Sequence, residues 1–155
     1  MKYEITPFTA KPIEKGAECP MPNVKRAEGH YDLFLYHNLN PKGIHTRDCV
    51  IRAFAFFFGV TWREAFLDLI NWCADRGRVD FNYRSAYYDY LKEKGFPKHK
   101  APEKGMTVED FRDRYAKEGK TYIIQGKRHL TIISDQTIYD IGDCSLMVMD
   151  NYWER

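Results

Sequence analysis

The segment Val50–Phe58 is apolar on nearly every side and is the strongest constraint on the fold. A helix that is apolar all round is buried on most of its faces, so this segment predicts the central helix of a domain. Asp48 stands where its side chain can cap the first turn, and Gly59 stands where the helix would end. Arg52 interrupts the segment and must be paired if it is buried, which predicts a bond to a carboxylate or to strand carbonyls.

Three more helices are predicted downstream. The Thr61-Trp62-Arg63-Glu64 segment is a capping box that begins a second helix running to about residue 77. A third helix is predicted over about 84–94, and a short fourth one from 107 to about 117. The intervening segment 92–104 is basic, contains two prolines and is predicted to be a loop.

The remaining apolar segments have the composition of short strands. They cover residues 31–36, 121–125, 128–133, 137–141 and 145–149. Because most helices precede most strands, the fold class is predicted to be α+β, with N-terminal helices and a buried central helix packed on a C-terminal antiparallel sheet. Residues 1–35, with four of the seven prolines, are predicted to form an extended arm, and residues 36–155 the domain.

Size and charge exclude several classes of protein. At 155 residues the chain fits one domain, and a net charge of +2 does not favour nucleic-acid binding. None of the four cysteines lies in a CxxC pair, so neither a metal site nor a cofactor is expected. No apolar run is long enough to span a membrane, and Met1–Pro7 lacks the apolar stretch of a secretion signal, which predicts a cytoplasmic protein. The oligomeric state stays open.

Cys49 is the one cysteine in a position typical of a reactive thiol. It follows Asp48 at the first turn of the buried helix, where the partial positive charge of the helix terminus favours a thiolate. Cys73 lies on the apolar stripe of the second helix, Cys144 at a strand edge and Cys19 in the arm. These three thiols are expected to be inert.

A base and an orienting group for Cys49 are predicted on the late hairpin. His129 is the histidine placed on a predicted core strand, and Asp140 lies near the end of the partner strand. If Ser134 pairs with Thr137, His129 and Asp140 become diagonal neighbours on one face, within reach of each other. A register slip of one residue would bring Asp143 there instead.

The order of these residues resembles papain-like cysteine peptidases, and it is most similar to small phage and prophage proteins of that type. The resemblance covers about residues 38–153. Its motifs are an Asp-Cys-x-x-Arg-Ala opening at 48–53, Thr61-Trp62, Tyr90-Leu91 with Gly95, a His-x-x-x-Ile strand at 129–133 and Tyr139-Asp140.

The resemblance implies that Cys49 is the nucleophile, His129 the base and Asp140 the orienting group of an amide or thioester hydrolase. The oxyanion would be held by the Cys49 backbone N–H and one side chain. Papain-like enzymes place a glutamine six residues before the nucleophile, where this chain has Gly43. The nearby side-chain candidates are Asn40, His45 and Thr46.

The resemblance also implies a phage or prophage origin and action in the host cytoplasm on a protein or peptide substrate. Because the glutamine is missing, a second hypothesis stays open, in which the same fold is catalytically silent and binds or inhibits a host or defence protein. A cell-wall amidase of the NlpC type is a third hypothesis.

Overall fold

The computed structural model describes residues 34–155, so the predictions for residues 1–33, including Cys19, lie outside the described part. The described chain forms four helices and a six-stranded mixed sheet, which confirms the α+β class. The elements are β1 (Phe34–Tyr36), α1 (Cys49–Phe58), α2 (Trp62–Asp75), α3 (Arg84–Glu93), β2 (His99–Lys100), α4 (Val108–Arg114), β3 (Thr121–Gly126), β4 (Leu130–Ser134), β5 (Thr137–Asp140) and β6 (Met149–Glu154).

Helix α1 is the buried central helix that its composition predicts. Most of its side chains, including Phe54 and Phe57, are buried between α2, α3 and the sheet. It ends at Gly59, whose left-handed backbone (φ +66°) is readily adopted by glycine. The core of this side of the molecule is therefore built around α1.

The expectation that the Asp48 side chain caps α1 is wrong. In the described part of the chain, its carboxylate makes no capping bond to the helix. It accepts hydrogen bonds from Asn40, Trp62 and Arg52 instead. These side-chain donors, one of them a guanidinium cation, outcompete the backbone N–H groups for the same oxygens.

The capping box of α2 is confirmed. The Thr61 hydroxyl accepts from the Glu64 N–H, and the Glu64 carboxylate accepts from the Thr61 N–H. A second capping box, Thr107 with Asp110, begins α4. Helix α3 has almost the predicted bounds, because its inward residues and Gly95 are local signals.

The sheet is mixed, so the expectation of an antiparallel sheet is wrong at one edge. The strand order is β1-β5-β4-β3-β6-β2, and β1 pairs with β5 in parallel while the other neighbours are antiparallel. Strand β1 precedes the helices, and its partner β5 lies more than 100 residues later in the chain. No local pattern encodes a contact at that separation.

Two strands near the C-terminus differ from their predicted positions. The segment predicted as a strand over 145–149 is mostly a turn, because Asp143 accepts from the N–H and hydroxyl of Ser145 and the Met147 N–H bonds to the Cys144 carbonyl. The strand is β6, which begins at Met149. The two-residue strand β2 lies in the predicted basic loop and forms by pairing with β6.

Alternating side chains of the sheet contact two separate cores. Ile123 and Ile132 face α1, while their neighbours Ile124 and Ile133 face the side covered by α4. The order is therefore helices α1–α3, sheet, then α4. This arrangement packs α1 against strands β4 and β3.

The last two residues of the predicted arm, Phe34 and Leu35, are buried in β1. Within residues 34–155, no helix has the length and apolar character that would be needed to cross a membrane.

We expect the core around α2 to depend strongly on Leu69. Leu69 is fully buried, whereas Leu67 on the same helix is 41% exposed. Leu69→Ala should lower the free energy of unfolding by about 2–5 kcal/mol, and Leu67→Ala by about 0.5 kcal/mol or less. Urea unfolding of both variants measures this difference, and equal losses would contradict the packing described.

Candidate active site

Cys49 is the first residue of α1 and is only partly buried. The backbone N–H groups of the first turn have no partner within their own helix, and they give this end a partial positive charge. The Asp48 carboxylate does not cap these N–H groups, because it accepts hydrogen bonds from other side chains. A thiol at this position meets donors that can stabilise negative charge.

The Cys49 thiol is hydrogen-bonded to the imidazole of His129. Burial raises the pKa of Cys49, but the hydrogen bond and charge of His129, a bond from the Leu130 backbone and the charge of Arg52 outweigh burial. The net pKa lies below the ordinary value of 9.0. Cys49 therefore has the electrostatic environment of a nucleophilic thiol.

Asp140 holds the other side of the His129 ring. The Nε2 atom of His129 lies 2.5 Å from Oδ2 of Asp140, which leaves Nδ1 to face Cys49. Burial lowers the pKa of His129, but the bonds and charges of Asp140 and Cys49 raise it to about 10. The imidazole is consequently protonated at neutral pH, and the two side chains favour a thiolate–imidazolium pair.

Strands β4 and β5 bring His129 and Asp140 together in the predicted register. Ser134 pairs with Thr137, as expected, and the antiparallel ladder continues toward Asp140. Asp143 accepts hydrogen bonds from Ser145 in the following turn. Asp140, rather than Asp143, is therefore the carboxylate in contact with His129.

Arg52 connects α1 to this pair from inside the protein. Its Nη1 donates to Oδ1 of Asp140 at 2.9 Å, and its Nε donates to Oδ1 of Asp48 at 2.8 Å. Burial raises the pKa of Asp140, but His129 and Arg52 together lower it to about 2. The guanidinium thus keeps Asp140 ionised and fixes the carboxylate that orients His129. Of the two kinds of partner predicted for Arg52, the structure shows the carboxylate.

Asp48 anchors the other end of Arg52. Its Oδ2 accepts from Asn40 Nδ2 and from Trp62 Nε1, each at 2.9 Å. Burial raises the pKa of Asp48, but these donors and Arg52 lower it overall. Asp48 is therefore a charged structural anchor one residue before Cys49.

The other described cysteines lie in environments that disfavour a thiolate. Burial raises the pKa of Cys73 in the core of α2. Burial also raises the pKa of Cys144, and the charge of Asp140 adds to this effect. The Cys144 sulfur lies beside the site, 3.2 Å from Thr131 Oγ1 and 3.6 Å from Asp140 Oδ2. No local sequence pattern indicates this position.

The side-chain candidates for the oxyanion site are occupied or exposed. Asn40 donates to Asp48 and accepts from the Lys42 N–H. His45 bonds to the Tyr36 hydroxyl at 3.0 Å, and Thr46 is exposed on the loop before α1. The hydrogen-bond partners of Asn40 and His45 are therefore Asp48, Lys42 and Tyr36 rather than Cys49.

One group of possible metal ligands occurs within residues 34–155. Ligand atoms of His129, Asp140 and Cys144 lie within 4.8 Å of one another. The Arg52 guanidinium already bonds Asp140, and a protonated His129 adds a second positive charge. A metal cation bound here would have to displace the Arg52 guanidinium from Asp140 and lie next to the positively charged His129. These three side chains are therefore better suited to hydrogen bonding than to binding a metal.

A small recess of about 10 Å³ borders Asp140. Its lining residues are His37, Leu39, Arg52, Ala53, Phe56, Leu130, Thr131, Ile132, Tyr139 and Asp140. Neither Cys49 nor His129 is among them. The recess therefore borders the supporting carboxylate rather than the reactive sulfur.

Comparison with known proteins gives no relative for this chain: no family model, curated protein or solved structure matches it.

The His129–Asp140 pair predicts a characteristic pH dependence of stability. A pKa raised from 6.5 to about 10 contributes stability that is fully present below pH 6.5 and lost as the pH rises through about 10. A pKa of Asp140 lowered from 3.8 to about 2 contributes stability above pH 3.8 that is lost as the pH falls through about 2.

We therefore expect His129→Gln to lower the free energy of unfolding most below pH 6.5, with the difference from the unaltered protein shrinking toward pH 10. Urea unfolding at a series of pH values measures it. A difference that is constant over this range would show that His129 carries no raised pKa in the folded state.

Proposed function

We propose that the protein is a papain-like cysteine hydrolase that cleaves an amide or thioester bond through an acyl-enzyme. The observation that carries the proposal is the hydrogen-bonded chain Cys49–His129–Asp140 at the N-terminus of a buried helix. A nucleophile, a base and a group that orients the base are the three parts that such catalysis requires. The resemblance of the motifs to papain-like phage proteins adds support.

The chemistry follows from these three groups. The Cys49 thiolate attacks the carbonyl carbon, a C–S bond forms, and the carbonyl electrons move to the oxygen. The intermediate then expels the leaving group, which takes a proton from His129. Water, deprotonated by the now neutral His129, releases the acyl group from Cys49 and completes the cycle.

Asp140 and Arg52 act by holding the base. The Asp140 carboxylate fixes the ring so that Nδ1 faces the sulfur, and it stabilises the imidazolium. Arg52 is a positioning residue because it contacts Asp140 and not the reacting atoms. The substrate class that we propose is a protein or peptide in the cytoplasm of a phage host, on the strength of the resemblance.

A second candidate function is a binding protein or inhibitor that uses the same fold without turnover. Gly43 stands where papain-like enzymes have glutamine, and Asn40 and His45 bond elsewhere, which favours this alternative. Cys49→Ala separates the two candidates. Full biological effect in that variant would favour binding, and loss of effect with retained folding would favour hydrolysis.

The thiolate is tested by alkylation with iodoacetamide, followed by mass spectrometry of each cysteine. Cys49 should react at least about tenfold faster than Cys73 and Cys144 at neutral pH, with a midpoint below 9.0 because its pKa is lowered. His129→Gln should shift the midpoint upward and slow alkylation. Cys73→Ala is the matched control and should leave the Cys49 rate unchanged.

Equal and slow alkylation of the three described cysteines would contradict the proposed nucleophile.

A further inference from the structure

We propose that Arg84 is a positioning residue of the reaction, because its guanidinium holds the turn that leads into His129. The inference rests on the proposed hydrolase function and adds a residue that the sequence motifs do not indicate. Arg84 is the first residue of α3, so it belongs to neither of the elements that carry Cys49 and His129.

His129 lies just outside the part of β4 that strand pairing holds in place. The ladder of β4 with β3 ends at the pair Gln125–Leu130, and its ladder with β5 ends at Ile132. The position of the imidazole therefore depends also on the turn over residues 126–129, which joins β3 to β4.

This turn is closed by its own backbone and is bound from outside by Arg84. The Gly126 N–H donates to the His129 carbonyl at 3.0 Å. The Nη2 atom of Arg84 donates to the Gly126 carbonyl at 3.2 Å and to the Lys127 carbonyl at 2.5 Å. Since a charged donor makes stronger hydrogen bonds than a neutral one, the guanidinium restrains the two peptide groups that lead toward His129.

Two further contacts restrict the same turn. Nη2 of Arg84 lies 3.2 Å from Oδ2 of Asp150 on β6, which keeps the guanidinium beside the turn. The turn also packs closely against Met147, because a Cβ added to Gly126 would lie 2.5 Å from the Met147 sulfur. Arg84 therefore holds a segment that has little room to move toward Met147.

A displaced turn would move the base of the proposed reaction. The His129 ring bonds Asp140 through Nε2 while Nδ1 faces Cys49, so a shift of the backbone at His129 weakens one contact or both. A misplacement of about 1 Å costs up to about 100-fold in rate. Arg84 acts through His129, which makes it a positioning residue rather than a catalytic one.

Arg78 provides the matched control, because it binds the same helix away from the turn. Its Nη1 donates to Asp89 of α3 at 2.9 Å, and its Nη2 bonds Asp80 at 2.8 Å. Arg84→Met and Arg78→Met each keep an apolar stem and remove a guanidinium that contacts α3 or its surroundings. Only the first change removes the bonds to the turn before His129.

Two reactions of Cys49 distinguish the base from the thiolate. 4-Nitrophenyl acetate acylates the sulfur, as the C–S bond forms and 4-nitrophenolate leaves with its electron pair. Water then adds to the acetyl carbon, His129 takes the water proton, and the C–S bond breaks to give acetate and the thiolate. Hydrolysis of acetyl-Cys49 reports the base, and the pH midpoint of alkylation by iodoacetamide reports the thiolate.

Arg84→Met should slow hydrolysis of acetyl-Cys49 by about 10- to 100-fold and shift the alkylation midpoint upward. Arg78→Met should change the hydrolysis rate by no more than about twofold. Arg84→Lys should restore part of the rate, because one nitrogen bonds both carbonyls and an ammonium has three donors on one nitrogen. Arg84→Gln carries the same comparison if Arg84→Met does not fold.

The effect of Arg84 should disappear when His129 is replaced. In the His129→Gln protein, adding Arg84→Met should change the hydrolysis rate by no more than about twofold, because effects that act through one residue are not additive. A purely structural role would instead slow hydrolysis to the same extent in both backgrounds.

Equal hydrolysis rates in Arg84→Met and Arg78→Met would overturn the inference, and so would a loss of equal size in the His129→Gln background. An alkylation midpoint at or above 9.0 in the unaltered protein, or no acylation of Cys49, would instead refute the proposed function. The two failures are therefore distinguishable.

Discussion

The candidate site depends on the buried guanidinium of Arg52. It lies inside the most apolar helix and bonds two carboxylates, Asp48 immediately before that helix and Asp140 on the sheet. A buried charge that loses its partner costs about 3–5 kcal/mol of stability, so the three residues must occur together. The same bonds fix the distance between the start of α1 and the end of β5, where the thiol and imidazole meet.

Several parts of the fold could be predicted because their signals are local. The apolar segment of α1, the stop at Gly59 and the capping box at Thr61 depend on residues a few positions apart. The hairpin register follows from the short turn between Ser134 and Thr137, which brings His129 and Asp140 to one face. These signals were sufficient to name the three residues that now form one hydrogen-bonded chain.

The predictions from sequence are wrong where residues distant in the chain take the contacts that local patterns indicate. Asp48 has the position of a cap, but Arg52, Asn40 and Trp62 take its oxygens. Parallel pairing of β1 with β5 and the two-residue strand β2 depend on partners that no local pattern reveals. Cys144 reaches the site only through the turn after β5, which no local pattern indicates.

The central claim is that His129, Leu130 and Arg52 lower the pKa of the Cys49 thiol below its ordinary value of 9.0, which favours a thiolate–imidazolium pair. The most direct measurement is the ultraviolet absorbance of the thiolate as a function of pH, taken as the difference between the unaltered protein and Cys49→Ala. Burial opposes ionisation of Cys49, but His129, Leu130 and Arg52 outweigh it, so thiolate absorbance should appear with a midpoint clearly below 9.0. A midpoint at or above 9.0 would contradict the account.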